Sequence, residues 1–265
     1  MKIVCLKGGL GNQMFEYCRF RDLMESGNDK VYLFYDRRRL KQHNGLRLSD
    51  CFELELPSCP WGIKLVVWGL KICRAVGVLK RLYDDEKPEA VLIDDYSQHR
   101  RFIPNARRYF FFRQFLAELQ SGFVQMIRAV DYPVSVHVRR GDYLHPSNSI
   151  FGLCGVDYFQ QAIAYVRKKR PDARFFFFSD DMEWVRENLW MEDAVYVEHT
   201  ELMPDYVDLY LMTLCRGHII SNSTFSFWGA YLAVDGNGMK IYPHRWFRDP
   251  TWTSPPIFSE EWVGL

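Results

Sequence analysis

Several arrangements that announce a common chemistry are missing from these 265 residues. No Asp-x-Asp occurs, so the usual carboxylate holder for a diphosphate-bound metal is absent. The seven histidines form no H-x-x-x-H pair, and zinc has no obvious home. There is no G-x-S-x-G elbow to argue for a hydrolase. Neither a G-x-x-x-x-G-K-[ST] loop nor a full G-x-G-x-x-G is present, which speaks against a kinase or a dinucleotide enzyme. The seven cysteines (Cys5, Cys18, Cys51, Cys59, Cys73, Cys154 and Cys215) contain no C-x-x-C and read as reduced thiols of a cytoplasmic protein. An apolar run of roughly 18 residues, enough to span a bilayer, is lacking. The stretch from Gly217 to Val234 carries no formal charge, but Ser221, Asn222, Ser223, Thr224 and Ser226 interrupt it. The first residues, MKIVCLKGGLGNQ, lack the basic-then-apolar layout of a signal peptide. Excess charge is also missing. Lys and Arg number 34 against 33 Asp and Glu, a net charge of +1, which excludes a general nucleic-acid binder.

What is present is the balance of a globular protein, 48% hydrophobic and 25% charged, with an aromatic share of 16% that suits half-buried strands and ring-stacking sites. Short apolar runs predict strands over 2–6, 31–35, 90–94, 133–138, 174–179, 195–197, 218–221 and 240–243. Helical patterns fall over 12–26, 61–82, 113–130, 157–169, 181–189, 205–215 and 224–234. Residues 36–60 are charged, Pro-punctuated and aperiodic, and read as loop with short helices. The alternation implies an α/β protein with parallel sheets flanked by helices. It is cleaner in the second half, so two lobes are expected, 1–120 and 121–265, with the break somewhere in 115–132.

Ligands of open α/β sheets bind outside the carboxyl ends of the strands. Three segments stand there. KGGLGNQMF (7–15) is a strand, a glycine turn and a helix start, a form that brings backbone N–H groups up to a phosphate. It is equally a tight strand-to-helix turn. HVRRGDY (137–143) places His137 and Arg139 on one face of a strand and ends in two arginines, whose forks suit phosphate. A surface Arg–Asp pair above a core histidine would look the same. SNSTFSFWGAYL (221–232) delivers hydroxyls to the start of an apolar helix, where Ser221, Ser223 or Thr224 can cap it or, with the free amides, hold a phosphate. A weaker element, FSDD (178–181), sets Asp180 at a strand end, where it could accept from a base or ribose or serve as a helix N-terminal acid. Together these residues describe a nucleotide diphosphate site built without a metal.

In that order, KGGLGNQMF, HVRRGDY, FSDD and SNSTFSFWGAYL resemble the alpha-1,2-fucosyltransferases of glycosyltransferase family 11, bacterial type. DLYLMTLCRGHIISNSTFSFWGAYL and the closing KIYPHRWF extend the likeness, and 36–115 is its least similar part. The resemblance implies a GT-B fold, two Rossmann-like lobes facing across a cleft, with GDP-fucose held by the C-terminal lobe. It implies inverting, metal-independent transfer of L-fucose to the 2-OH of a terminal galactose on a glycan, with no cofactor. Carried over by motif, Arg139 and His137 would bind the diphosphate. Ser223, Thr224 and Phe225 would complete the phosphate and nucleoside pocket, and Asp180 would serve guanosine. Gly9, Asn12 and Gln13 would meet the nucleotide sugar from the first lobe. Asp142, Glu16 and Glu201 are candidates to accept the galactose proton. Phe227 stands where related sequences often have Trp, a conservative aromatic change. Rival readings are a GT-B enzyme using another nucleotide sugar or linkage, and a catalytically idle glycan-binding protein.

One segment lies outside these motifs. Lys64, Lys71, Arg74 and Arg81 fall on one side of the helix expected over 61–82, and Trp61, Val67, Trp68, Ile72, Val76 and Leu79 cover much of the rest. It reads either as an acceptor-lobe helix with a solvated stripe or as a peripheral contact with the inner face of the membrane, suited to a lipid-linked acceptor.

Overall fold

In the computed structural model, which describes residues 1–27, 30–41, 44–84, 87–119, 122–148, 150–198 and 203–265, the chain divides into two units. The first is Met1–Arg113. Its central strand β1 (Lys2–Leu6) is apolar after its first residue and is flanked in parallel by β2 (Val31–Tyr35) and β3 (Leu92–Ile93), in the order β2-β1-β3. Of the strand expected over 90–94, only these two residues pair. Helix α1 (Leu10–Glu25) starts directly after the glycine turn. Two short helices, α2 (Arg37–Leu40) and α3 (Leu48–Cys51), occupy the irregular 36–60 stretch. Helix α4 (Trp61–Ala75) packs Val67 and Leu70 onto Ile3, Cys5 and Leu92. It ends short of the expected 82, because the chain turns at Gly77 and Leu79, with φ of +74° and +55°.

The second unit is Gln114–Leu265. Its strands are β4 (Tyr132–Val138), β5 (Ala173–Ser179), β6 (Val195–Tyr196), β7 (Gly217–Ile219), β8 (Lys240–Tyr242) and β9 (Val263–Gly264). They form one parallel sheet in the order β6-β5-β4-β7-β8-β9. Its helices are α5 (Gln114–Ala117), α6 (Gly122–Arg128), α7 (Val156–Lys169), α8 (Met182–Asn188), α9 (Tyr206–Leu214) and α10 (Thr224–Tyr231). The Phe175–Phe178 run of β5 is fully buried, as a parallel strand covered on both faces requires. The helix expected over 113–130 is the pair α5 and α6, and the units part between Arg113 and Gln114, ahead of the expected 120/121 line. Phe115 explains the shift: its ring stands 6.4 Å from that of Tyr206 in α9, and Val124 and Ile127 of α6 are buried.

Strand order positions the site. From β4 the chain builds outward through β5 to β6, then returns to the other side of β4 with β7 and continues to β9. The carboxyl ends of β4 and β7 are therefore the topological switch point, where an open α/β sheet leaves a crevice. HVRRGDY leaves β4 there and SNSTFS leaves β7 there.

Candidate active site

His137 is the penultimate residue of β4 and is buried. Its Nδ1 lies 3.2 Å from Ser221 Oγ, and its ring is 5.6 Å from that of Phe225. Burial, reinforced by the Arg139 charge, pushes its pKa down to about 3, so the imidazole is neutral at physiological pH. It ties the end of β4 to the turn after β7.

The two arginines that follow have different surroundings. Arg140 is locked: its N–H donates to Asp180 Oδ1 at 2.8 Å, its Nε to Asp181 Oδ2 at 3.0 Å, and its guanidinium lies 4.0 Å from the centre of the Trp184 ring. Arg139 presents a fork between two carboxylates, Asp142 Oδ1 at 2.8 Å and Asp180 Oδ2 at 3.0 Å. Burial opposes its charge, but Asp180 and Asp142 outweigh that and hold the guanidinium ionised. Its side chain is 32% exposed against 14% for Arg140, so Arg139 is the one open to an incoming anion. Gly141 makes the loop possible, because a Cβ there would lie 2.9 Å from Asp180 Oδ2.

Beyond β7, Ser223 is the N-cap of α10, yet its side chain accepts no helix N–H. The expected capping is thus not made by Ser223 Oγ. Ser226 Oγ instead folds back on the carbonyls of Ser221 and Ser223, at 3.3 and 3.1 Å. Thr224 and Phe225 remain partly exposed at the helix start. An ionised fork and a helix N-terminus at one switch point are the parts of an anion site suited to phosphate oxygens.

Asp180 has both oxygens engaged, one by each arginine, so it braces the loop before it can serve a base. The helix acid beside it is Asp181, which caps α8 through the Trp184 N–H at 3.2 Å. Tyr143 and Asn222 were not singled out by motif and prove structural to the site. Tyr143 donates its hydroxyl to Asn222 O at 2.9 Å and stacks on Phe151 at 4.7 Å. Asn222 Nδ2 donates to Gly152 O and Trp246 O, each at 2.7 Å, and its Oδ1 accepts from Cys154 Sγ at 3.5 Å. The signal was a polar residue inside an uncharged run, which must find buried partners.

The glycine turn of the first unit differs from expectation. Gly8 has φ of +68°, and a Cβ there would lie 2.7 Å from Asn12 Nδ2, whereas Gly9 has an ordinary extended φ of −75° and precedes α1. Gln13 does not offer its amide to a ligand. It is fully buried, donating to Gly8 O and Gly45 O at 2.9 Å each and accepting the Arg47 N–H at 3.1 Å. The amide's hydrogen bonds close the turn onto the 44–47 loop. Asn12 Oδ1 accepts from Gln98 Nε2 at 2.9 Å and is partly exposed. Glu16 is fully buried and accepts the Lys7 N–H at 2.8 Å, so it does not face an acceptor hydroxyl, and burial raises its pKa well above the usual carboxylate range. Glu201 lies outside the described residues.

Comparison with known proteins gives the family and the fold. The model of Glycosyl transferase family 11 matches residues 105–265, which hold every element of the second-unit site. The alpha-1,2-colitosyltransferase of Escherichia coli is 30% identical over 98% of this chain and 97% of that protein. The galactoside 2-alpha-L-fucosyltransferase SEC1 of Bos taurus is 27% identical over 98% of this chain and 72% of that protein. Among solved structures, the NodZ alpha-1,6-fucosyltransferase co-crystallised with GDP superposes with a TM-score of 0.54 at 16% identity, covering 88% of this chain and 92% of that one. The chain belongs to glycosyl transferase family 11 and is a glycosyltransferase of the GT-B type.

Proposed function

We propose that the chain is a galactoside 2-alpha-L-fucosyltransferase, moving L-fucose from GDP-fucose to the 2-OH of a terminal galactose with inversion and without a metal. The observation that carries this is the Arg139 fork, held ionised and open between Asp142 and Asp180 at the β4/β7 switch point. The names of the matched relatives, an alpha-1,2-colitosyltransferase and a galactoside 2-alpha-L-fucosyltransferase, support the sugar class and the linkage. The donor diphosphate takes the outer face of Arg139 and the start of α10 at Ser223, Thr224 and Phe225, with His137 fixing that turn. Acceptor recognition falls to the first unit, where the Asn12 side chain remains accessible. The seven free thiols fit a reducing compartment, and we place the enzyme in the cytoplasm.

Breaking the sugar–phosphate bond builds positive charge on the fucosyl ring and negative charge on the departing GDP. Arg139 and the α10 N-terminus stabilise that negative charge where it develops. The galactose 2-OH attacks the opposite face of the anomeric carbon, and its proton passes to Asp142 once the donor has drawn Arg139 away. Losing one preorganised group of this kind costs about 3 kcal/mol, so Arg139→Ala lowers transfer on the order of a hundredfold or more. Transfer to lactose, with and without EDTA, tests the whole reading. Near-full turnover by Arg139→Ala, or abolition by EDTA, refutes it. Asp142→Asn is expected to lower kcat while GDP affinity in calorimetry holds. A parallel loss of GDP affinity would reduce Asp142 to a brace for Arg139.

A second reading is favoured by the 30% identical colitosyltransferase. Colitose is L-fucose without its 3-hydroxyl, so the same site could take that donor. Competing GDP-fucose, GDP-colitose, GDP-mannose and UDP-sugar donors separates the two. A chain that binds no GDP would instead be an idle glycan-binding protein.

A further inference from the structure

No helix among the described residues is long and apolar enough to cross a membrane. Yet 21 large hydrophobic residues are exposed among them, and eight fall between Trp61 and Leu79, which makes one patch rather than a scatter. On α4 the pattern is sharp. Only Val67 and Leu70 are buried, both on the side facing the sheet. On the opposite side Trp61, Leu65, Trp68 and Ile72 recur at helical spacing with no charge among them, exposed by 73, 47, 67 and 43%. Val76 and Val78, equally exposed, continue the patch past the helix end. The sequence had left open a charged, solvated stripe. The structure exposes Lys64, Arg74 and Arg81 as expected, and it exposes an apolar stripe beside them.

The flank of that stripe is basic. Lys64 and Lys71 line a groove of about 650 Å³ between α4 and the turn after β2, where Arg37, Arg38 and Arg39 stand opposite them. The acids that face these cations are few. Asp36 lines the groove, 3.8 Å from Arg39, and Asp94 pairs with Lys71 and Arg74, each at 3.5 Å. Among the described residues Arg37, Arg38 and Lys64 are in no ion pair. A second copy of this chain is a poor occupant, because a two-fold contact would oppose a rim of one sign to itself. An anionic bilayer meets both demands: tryptophans and aliphatic side chains enter the headgroup boundary while the adjacent cations meet lipid phosphates.

We propose that α4 is an interfacial membrane-docking helix, that the groove beside it receives anionic phospholipid headgroups, and that the enzyme works on acceptors carried at that surface. This goes beyond the donor assignment and does not depend on it. The test is flotation of the full chain with phosphatidylcholine vesicles, with and without phosphatidylglycerol, at low and high salt. Trp61→Ser/Trp68→Ser and Arg38→Gln/Lys64→Gln are compared with the parent, together with sedimentation velocity and transfer to soluble lactose. The parent is expected to float with anionic vesicles at low salt and to be released by high salt. The tryptophan variant should lose at least about tenfold of that binding. The charge variant should lose about fivefold per cation. Both should keep parental transfer to lactose, since none of these residues belongs to the donor site. A parent that stays unbound, or a tryptophan variant that floats like the parent, overturns the proposal. So does a parental dimer that the tryptophan variant splits, for then a second copy covers the stripe. Loss of lactose transfer by the parent, with flotation intact, would strike the donor assignment alone.

Discussion

Replacing Glu16 by glutamine should make the first unit more stable, and increasingly so as pH rises. Glu16 is completely buried on α1, with Oε2 on the Lys7 N–H at 2.8 Å and Oε1 unpartnered among the described residues. Burial raises its pKa well above 4.5 and outweighs the Lys7 hydrogen bond and charge that oppose it, with Asp94 and Asp95 adding smaller upward pushes. The sign follows from the proton balance. Above pH 4.5 the unfolded chain gives up this proton while the folded chain keeps it, so stability falls as pH rises towards the folded pKa. Each pH unit in that window costs about 1.4 kcal/mol. Glutamine keeps an acceptor for Lys7 and cannot ionise, so Glu16→Gln removes that slope. The gap between variant and parent should widen as pH rises above 4.5, with a slope of at most about 1.4 kcal/mol per pH unit. Urea unfolding combined with hydrogen exchange at α1 amides measures it in the correct unit. Parallel pH curves for the two proteins would refute the reasoning, since they would mean Glu16 is ionised in the folded state.

The second unit should respond with the opposite sign. His137 and His218 are both buried, burial being the leading cause and Arg139 and Lys240 respectively the next, and both are held neutral with pKa pushed down to about 3. Below pH 6.5 the unfolded state takes up two protons that the folded state refuses, so β4 amide protection should fall by up to about 2.7 kcal/mol per pH unit; an acid-insensitive β4 would contradict this. For the same reason His137 should place no step in the pH profile of transfer, and a step near pH 6.5 that disappears in His137→Asn would show otherwise. Gly141→Ala should push Asp180 off its bonds to Arg139 and Arg140, since the new Cβ would sit 2.9 Å from Oδ2. Losing one such charged hydrogen bond should lower GDP affinity at least about tenfold with little change in unfolding midpoint. Unchanged GDP binding in calorimetry would remove Asp180 from the account.

The fold of the second unit is largely legible because its strands are short continuous apolar runs, RFFFFS above all, separated by helices of which α7, α8 and α9 carry an acid in the first turn. β9 was invisible: two residues at the chain end carry no period. The pattern over 61–82 overstates the helix because apolar residues continue beyond Ala75, and only the backbone angles at Gly77 and Leu79 reveal the break. At the site, residue type and place were enough to select Arg139, but not to separate it from Arg140, whose partners Asp181 and Trp184 come from another strand–helix connection. Gln13 and Glu16 misled for a related reason. A polar residue beside a glycine turn looks like a ligand contact until its hydrogen bonds are counted, and Gln13 spends all of them within its own unit. Likewise, side-chain chemistry located the cations near α4, while only burial showed that its solvent face is apolar.

The switch-point topology also bears on when activity can arise as the chain folds. β4 finds one partner in β5 and the other in β7, so His137 waits for Ser221, 84 positions further on, and Arg140 for Asp180, 40 positions further on. Closing loops of that length is slow relative to local helix formation. The arginine loop and the α10 turn therefore come together only once β4 and β7 have paired. A nascent chain that has not yet released β7 has helices and strands but no donor site, and gain of GDP binding would serve as a clock for the pairing of β7 with β4.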